Sequence, residues 1–452
     1  MKKSLIVVSI FLVTTNLFAQ REVTLFMMEN VYQSSYVNPA VIPQSTLSIG
    51  LPVISSLYAG QALSFSGRDV IDGSVISPNK LINSTNKGVW STTFINTDLL
   101  SLRVKVKNTY LSFSARARAF QKLMIDKDIL DLAWNGNGSM LGEDISLENM
   151  ANNGTAYTEL GVGVTKRFGK WVFGAKVKAN FGIVNISNSG NDSHLYFDPN
   201  TYEAQLKGAY TMNTSSIPNI EDDSTRLEVS DFLTLNTKNF GLGIDLGATY
   251  KLNDKIEISG SIVDLGYIKW ADNPQNYNLK VDGVVKGADA IGVIIRGADS
   301  DSVWTAWAES LEDQVDFTST QNSYTTRVHG QMYLNGSYKL GEKMKAYGTV
   351  NMFVWKGLRT SVTGGLRKEF GRSFSMTVNN TIQYKRFVNI GLGFMVKPGP
   401  VQLYMVFDNI FMGNFVQYKN SAAPIPDYVT NVNLRFGINL VFGKVHGEDK
   451  IL

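Results

Sequence analysis

The stretch Asn431-Val432-Asn433-Leu434-Arg435-Phe436-Gly437-Ile438-Asn439-Leu440-Val441-Phe442-Gly443 decides the fold. In an extended chain Val432, Leu434, Phe436, Ile438, Leu440 and Phe442 share one face, while Asn433, Arg435, Gly437, Asn439 and Gly443 share the other. A sandwich strand keeps such alternation for about five or six residues. This run keeps it for about eleven, the length that crosses a bilayer as tilted β-structure.

The pattern repeats immediately upstream. Val401, Leu403, Met405 and Phe407 alternate with Gln402, Tyr404 and Asp408; Val388, Ile390, Leu392, Phe394 and Val396 alternate with Asn389, Gly391, Gly393 and Lys397. Phe374, Met376, Val378 and Ile382 alternate with Ser375, Thr377, Asn379 and Thr381. Between them stand only Lys385-Arg386 and Lys397-Pro398-Gly399-Pro400. Long alternating strands joined by short turns describe a meander that closes on itself, because an open, lipid-exposed sheet edge leaves backbone groups unpaired. The expectation is an all-β chain forming one transmembrane up-and-down antiparallel barrel of the outer-membrane type.

Composition agrees. The chain has 452 residues with 40 Gly, 19 Tyr, 24 Phe, 18% charged residues and a net charge of +4. Its mean hydropathy of −0.06 is far below that of a helical membrane protein. The small, dispersed charge gives no footprint for nucleic acid. With no cysteine there is no disulfide framework and no thiolate metal site.

Lys2-Lys3 precede the mainly apolar run Leu5 to Val13, and Leu17-Phe18-Ala19 before Gln20 has the form of a cleavage site. Residues 1–19 are expected to be a signal peptide, 20–44 an N-terminal plug, 45–443 the barrel and 444–452 a periplasmic tail. Pro39 and Pro43 forbid a central strand in the plug.

Along the chain, alternation starts at Leu47, Ile49 and Leu51 and continues less cleanly to about Ser66, with 67–97 expected as an external loop. Leu100 to Val106 and Leu111 to Ala117 flank Asn108; Thr158 to Val164 and Trp171 to Ile183 flank Gly169-Lys170, a hairpin signal. A short helix is expected within Leu123 to Trp134. After Ser187 come two weaker strands, about Tyr202 to Met212 and Thr225 to Val229, outside the membrane. Phe240 to Tyr250 and Ile256 to Ile262 flank Asn253-Asp254. A hairpin is expected at Tyr277 to Lys286 and a helix-like stretch at Ser302 to Val315. Short turns at Asn108, Gly169, Asn253, Gly341, Gly371 and Pro398 alternate with longer connections, so the count comes to about fourteen strands, within twelve to sixteen.

The inner face carries Arg103, Lys105, Arg116, Arg118, Lys176 and Lys178, with Glu159 between them and Asp245 and Glu257 further on. One reading is a cationic lining for anionic solutes. The plainer one is a salt-bridged wall, since barrel interiors are polar whatever they carry. Trp171, Tyr250, Tyr267, Trp270, Tyr338, Trp355 and Tyr428 stand at strand ends and are expected to form membrane girdles. His194 belongs to a loop, His329 to the inner face and His446 to the tail; none comes with a nucleophile in sequence, so no catalytic residue is assigned. Glu221-Asp222-Asp223 and Asp299 to Asp301 lack calcium-loop spacing and read as solvated loop tips. With no phosphate-cradling loop or zinc pattern, no cofactor and no metal are expected.

An N-terminal plug bearing Asn38-Pro39-Ala40, followed by a barrel of about fourteen strands, resembles the FadL-type outer-membrane transporters of hydrophobic compounds. With Phe407-Asp408-Asn409-Ile410 and the closing strand, the whole chain looks like a Bacteroidota family of such barrels. The resemblance implies one of two roles. In the first, Asn38, Pro39 and Ala40 gate a passive path for a small hydrophobic or amphipathic molecule, which leaves through an opening in the wall. In the second, a secretion-associated barrel of the PorV or PorP type binds partner proteins through its long loops. Either way the immediate partner is outer-membrane lipid.

Overall fold

The computed structural model describes residues 22–72, 75–217, 229–285, 315–354, 358–371, 373–382, 389–410, 415–416, 425–426 and 431–443. The signal peptide, Trp355, Tyr428, both acidic runs, the tail with His446, and nearly all of the expected second weak strand and helix-like stretch lie outside them.

The alternating runs form a closed antiparallel barrel of 14 strands. In chain order these are β1, in two pieces (Leu47–Gly50 and Leu57–Leu63), β2 (Val89–Val106), β3 (Thr109–Ile125), β4 (Ala151–Phe168) and β5 (Trp171–Asn191). Then come β6 (Phe240–Lys251), β7 (Ile256–Trp270), β8 (Gln331–Gly341), β9 (Met344–Val354) and β10 (Leu358–Phe370). β11 (Phe374–Ile382), β12 (Ile390–Val396), β13 (Val401–Ile410) and β14 (Asn431–Phe442) complete the wall. Each strand pairs with its chain neighbour, and β14 closes the cylinder on β1: Leu47 opposes Phe442 and Leu57 opposes Phe436.

Exposure follows the alternation. Val162, Val164, Phe173, Val177, Leu242, Leu334 and Leu366 are exposed outward, whereas Glu159, Lys176, Lys178 and Asp245 are almost fully buried inside. This is the reverse of a soluble barrel and fits lipid outside and a polar filling within. Among the described residues no helix is long and apolar enough to cross a membrane. At the short-turn end Trp171 stacks on Phe173 and lies 4.5 Å from Tyr250, and Tyr338 is exposed; Tyr267, toward the long-loop end of β7, is exposed too. At Gly169 the backbone adopts φ 57°, which a tight two-residue turn requires and glycine takes without steric cost.

Trp270 is not a girdle residue. It is fully buried, and its indole Nε1 donates to Thr326 Oγ1 at 2.8 Å. The reason is a β-bulge: Asp264 has φ 60° and the β6–β7 register slips between Ile244 and Leu246. One extra residue flips the faces, so Ser259, Ser261 and Val263 point inward before the bulge and Ile268 and Trp270 after it.

Other expectations also shift. The 67–97 loop is shorter than expected, because β2 begins at Val89, and it holds the helices Gly67–Val70 and Pro78–Ser84. The expected helix begins only at Lys127, because β3 continues to Ile125. The stretch after Tyr277 is not a hairpin but one strand, Pro274–Val285, paired with Ala204–Ser215 and Val315–Thr320. One partner comes from the β5–β6 excursion and the other from far along its own, so local turn residues do not decide its course. With Asp144–Ser146 and His194–Phe197 these strands build a sheet beyond the long-loop end, packed around Met140, Ile145, Leu147 and Phe197.

Candidate functional site

The segment from Glu22 to Ser45 fills the barrel. It forms a short helix, α1 (Val23–Met27), and a 3-10 turn (Tyr32–Tyr36), and from Val31 to Ala40 every residue is buried. Its apolar side chains Leu25, Phe26, Met28, Val31 and Val37 cluster with wall residues Val263, Tyr333, Met395, Tyr404 and Val406. Its polar groups are met by the wall: Thr24 N–H donates to Asp408 at 3.0 Å, Asn379 donates to Thr24 Oγ1 at 2.6 Å, and Gln402 donates to the Asn30 carbonyl at 2.9 Å. A buried loop is tolerable only when its backbone is satisfied in this way.

Asn38-Pro39-Ala40 forms a compact turn in which Asn38 Oδ1 accepts from Ala40 N–H at 2.9 Å. It rests on two wall glycines, Gly174 and Gly247: a Cβ at Gly174 would strike the Pro39 carbonyl, and one at Gly247 would come within 2.5 Å of Asn38 Oδ1. The flanking carbonyls are also held. Thr165 donates to Pro39 O at 2.7 Å, Arg103 to Val41 O at 2.5 Å and Ser261 to Val37 O at 2.5 Å.

Beside the plug the inner-face charges form a balanced network. Arg118 binds Asp264 through both of its terminal nitrogens at 2.7 and 2.9 Å and Glu159 at 2.7 Å. Lys178 lies 2.6 Å from Asp245, 2.5 Å from Asp264 and 3.6 Å from Glu159. Arg116 bridges Glu159 at 3.4 Å and Asp98 at 3.7 Å. Lys176 and Arg116 flank the plug's Tyr36 ring at 4.8 and 4.0 Å. Arg103 takes the Val41 carbonyl, and Lys105 sits nearer the turn end, over Tyr110. Asp98, Asp264 and Arg435 belong to this interior too. The run Asn433-Leu434-Arg435 carries the inward signal for Arg435, whereas the bulge hides it for Asp264.

Two acidic residues, Glu22 and Glu29, also anchor the plug through ion pairs. Glu22 pairs with Arg435 deep in the barrel. Glu29 pairs with Lys345 at 3.0 Å and Arg367 at 3.4 Å at the turn end. Next to Glu29 opens a cavity of about 620 Å³, lined by Ile42, Glu257, Lys345, Arg367, Phe374 and Gln402 among others. Toward the long-loop end the lumen is aromatic instead. Tyr58, Phe94 and Phe120 cluster there, and the His329 ring lies 4.1 Å from Phe120 and 6.0 Å from Phe353. Among the described residues no group of His, Cys, Asp and Glu could hold a metal ion.

Among the described residues the first wall strand, β1, is interrupted. Pairing of β1 stops at Gly50, opposite Ser101 and Asn439, and resumes at Leu57, opposite Thr97 and Phe436. Leu51 to Ser56 loops between them, with Val53 and Ile54 exposed outward and Ser55 and Ser56 fully buried inward. Pro52 cannot donate to a ladder. Val53 has φ 65°, a left-handed conformation that costs a β-branched residue about 1–3 kcal/mol.

An apolar-belted barrel closed around a buried segment defines a plugged transmembrane barrel of the outer-membrane type. The chain belongs to the family of unknown function DUF5723, whose model matches residues 39–408. No curated protein matches it in sequence. Among solved structures it is similar to the TodX deltaS2S3 mutant monoaromatic hydrocarbon channel, at 10% identity and TM-score 0.45, over 94% of this chain and 95% of that one. It is similar also to the Ralstonia pickettii toluene transporter TbuX, at 10% identity and TM-score 0.45, over 92% and 95%. A Pseudomonas aeruginosa FadL homologue follows at 10% identity and TM-score 0.40, over 91% and 95%.

Proposed function

We propose that the protein is a passive outer-membrane channel for small hydrophobic or amphipathic molecules, gated by the plug at Asn38-Pro39-Ala40. Cargo enters the aromatic vestibule at Phe94, Phe120 and His329, meets the ion network and plug, and leaves sideways at Leu51 to Ser56. The carrying observation is that the break in β1 lies directly against the plug: Gln33 of the plug donates to the Ser55 carbonyl at 3.0 Å. The network of Arg116, Arg118, Glu159 and Lys178 closes the axial route with paired charge, which argues against a bulk aqueous pore and against the anionic-solute reading.

Proteoliposomes containing the full chain test this. Uptake of an apolar fluorescent probe, with exclusion of a hydrophilic solute of the same size, is expected. Equal permeation by both, or by neither, overturns the proposal.

A second reading, a barrel that binds partner proteins, is favoured by the sheet beyond the long-loop end, which has its own apolar core. Affinity purification from native outer membrane separates the two readings. A stoichiometric protein without small molecules supports the second, and a copurifying small molecule alone supports the first.

A further inference from the structure

The plug and the break in β1 share one polar joint, and we infer that Gln33 is the positioning residue that makes movement of the plug open the wall. This deepens the channel reading and rests on it for its purpose: the lateral path becomes conditional on the plug.

Leu51 to Ser56 is poorly held by its neighbours. Two of its N–H groups turn back on the segment itself, Ile54 to Pro52 O and Ser55 to Leu51 O. Among the described residues its backbone bonds to the flanking strands are Val53 N–H to Asp98 O at 2.7 Å, Asp98 N–H to Ser56 O at 3.0 Å and Ile438 N–H to Ile54 O at 2.9 Å. Thr97 Oγ1 on β2 donates to the Val53 carbonyl at 3.0 Å, and the rest of the support comes from inside. The Ser55 carbonyl accepts from Gln33 at 3.0 Å and from Tyr404 at 2.9 Å, and Arg435 holds the Ser56 hydroxyl.

Gln33 touches all three pieces that meet at the break. Its amide forms a reciprocal pair with Asn439 on β14, both bonds 2.9 Å, while the same Nε2 reaches Ser55 O and lies 3.5 Å from Asp98 on β2. Asp98 also accepts from Tyr36 of the plug at 2.7 Å and from Ser55 Oγ at 3.4 Å. Asn439 donates to Gln402 at 3.2 Å, and Gln402 to the Asn30 carbonyl. Withdrawing the plug therefore removes Gln33's ties to β2, β14 and the break together, and leaves the break held from inside by the wall residues Tyr404 and Arg435. A side chain that merely packed the plug would need one such contact, whereas Gln33 reaches Ser55 at the break, Asn439 on β14 and Asp98 on β2. Gln33 and its partners Ser55, Asp98 and Asn439 are all buried, so the loss of this one side chain acts on the break and both flanking strands.

The test uses the full chain in lipid nanodiscs, with Gln33→Ala on the plug side and Asn439→Ala on the wall side. Amide exchange at Val53 to Ser55 is expected to rise roughly tenfold in both, the effect of losing one or two buried hydrogen bonds, with the β4–β5 hairpin unchanged. The chain has no cysteine, so a single engineered pair, N30C with S375C, whose parent side chains bond at 2.9 Å, can lock the plug. Oxidation is expected to stop uptake of the apolar probe and reduction to restore it. Unchanged exchange at the break in both variants, or uptake that ignores the crosslink, overturns the coupling. If exchange responds but no variant or parent takes up the probe, the coupling stands and the channel reading falls. If uptake persists while exchange is unmoved, the channel reading stands and the coupling falls.

Discussion

Gly174 and Gly247 face each other directly across β5 and β6, and the turn Asn38-Pro39-Ala40 lies against both. No other residue type lets a wall strand and a plug backbone come so close, so this glycine pair sets the seat of the plug. The contact is made by main chain on one side and absent side chains on the other. It is shape, not charge, that registers the plug here.

Replacing Gly247 by Val should therefore unseat the turn without opening the barrel. A loss of about 1–3 kcal/mol is expected for overpacking, with the heat-modifiable migration of a folded barrel retained. Single-channel recordings should show more frequent openings than the parent; an unchanged opening frequency with normal folding would count against the seat.

Glu159 is shared by Arg116, Arg118 and Lys178. Glu159→Leu leaves buried cations without their common carboxylate, and breaking a buried pair costs about 3–5 kcal/mol. The midpoint of urea unfolding in detergent should fall accordingly, whereas Lys105→Gln, nearer the turn end, should move it by less than about 1 kcal/mol.

The plug's second acidic anchor is less enclosed than its first. Glu29 keeps 20% of its side chain exposed beside the turn-end cavity, against 11% for Glu22. Glu29→Gln is expected to lower stability by no more than about 1 kcal/mol, as for a water-accessible pair, yet to speed proteolytic cleavage of residues 28–32 from the turn side. Equal protection in parent and variant would show that this anchor does not hold the plug's lower edge.

Trp171 and Trp270 report on the bulge at Asp264. In single-tryptophan variants reconstituted with brominated lipid, Trp171 emission should be quenched and Trp270 emission should not. Comparable quenching of both would place Trp270 on the lipid face and remove the bulge.

Much of this was legible from residue order. The outward stripe of Val162, Val164 and Phe173 and the inward stripe of Glu159, Lys176 and Lys178 follow from a side-chain period of two, a property of the extended backbone alone. Pro39 and Pro43 mark a segment outside the wall for an equally local reason, a missing N–H. Trp270 was illegible because a bulge adds one residue without any compositional mark, and parity downstream of it inverts. The strand at Pro274–Val285 is not legible as one strand because its partners, Ala204–Ser215 in another loop and Val315–Thr320 far along its own, carry no local pattern that names them.

What the sequence by itself determined is therefore the wall: a polar inside, an apolar outside, the even succession of strands and the presence of a strand-breaking segment before the first of them. Tertiary structure alone decided which charges meet, that Asn38-Pro39-Ala40 sits on Gly174 and Gly247, and that Gln33 joins Asn439 and Ser55 across 406 and 22 positions of chain. Alternation is written into each residue's immediate neighbours, whereas those contacts exist only once the cylinder has closed and brought distant strands around a common filling.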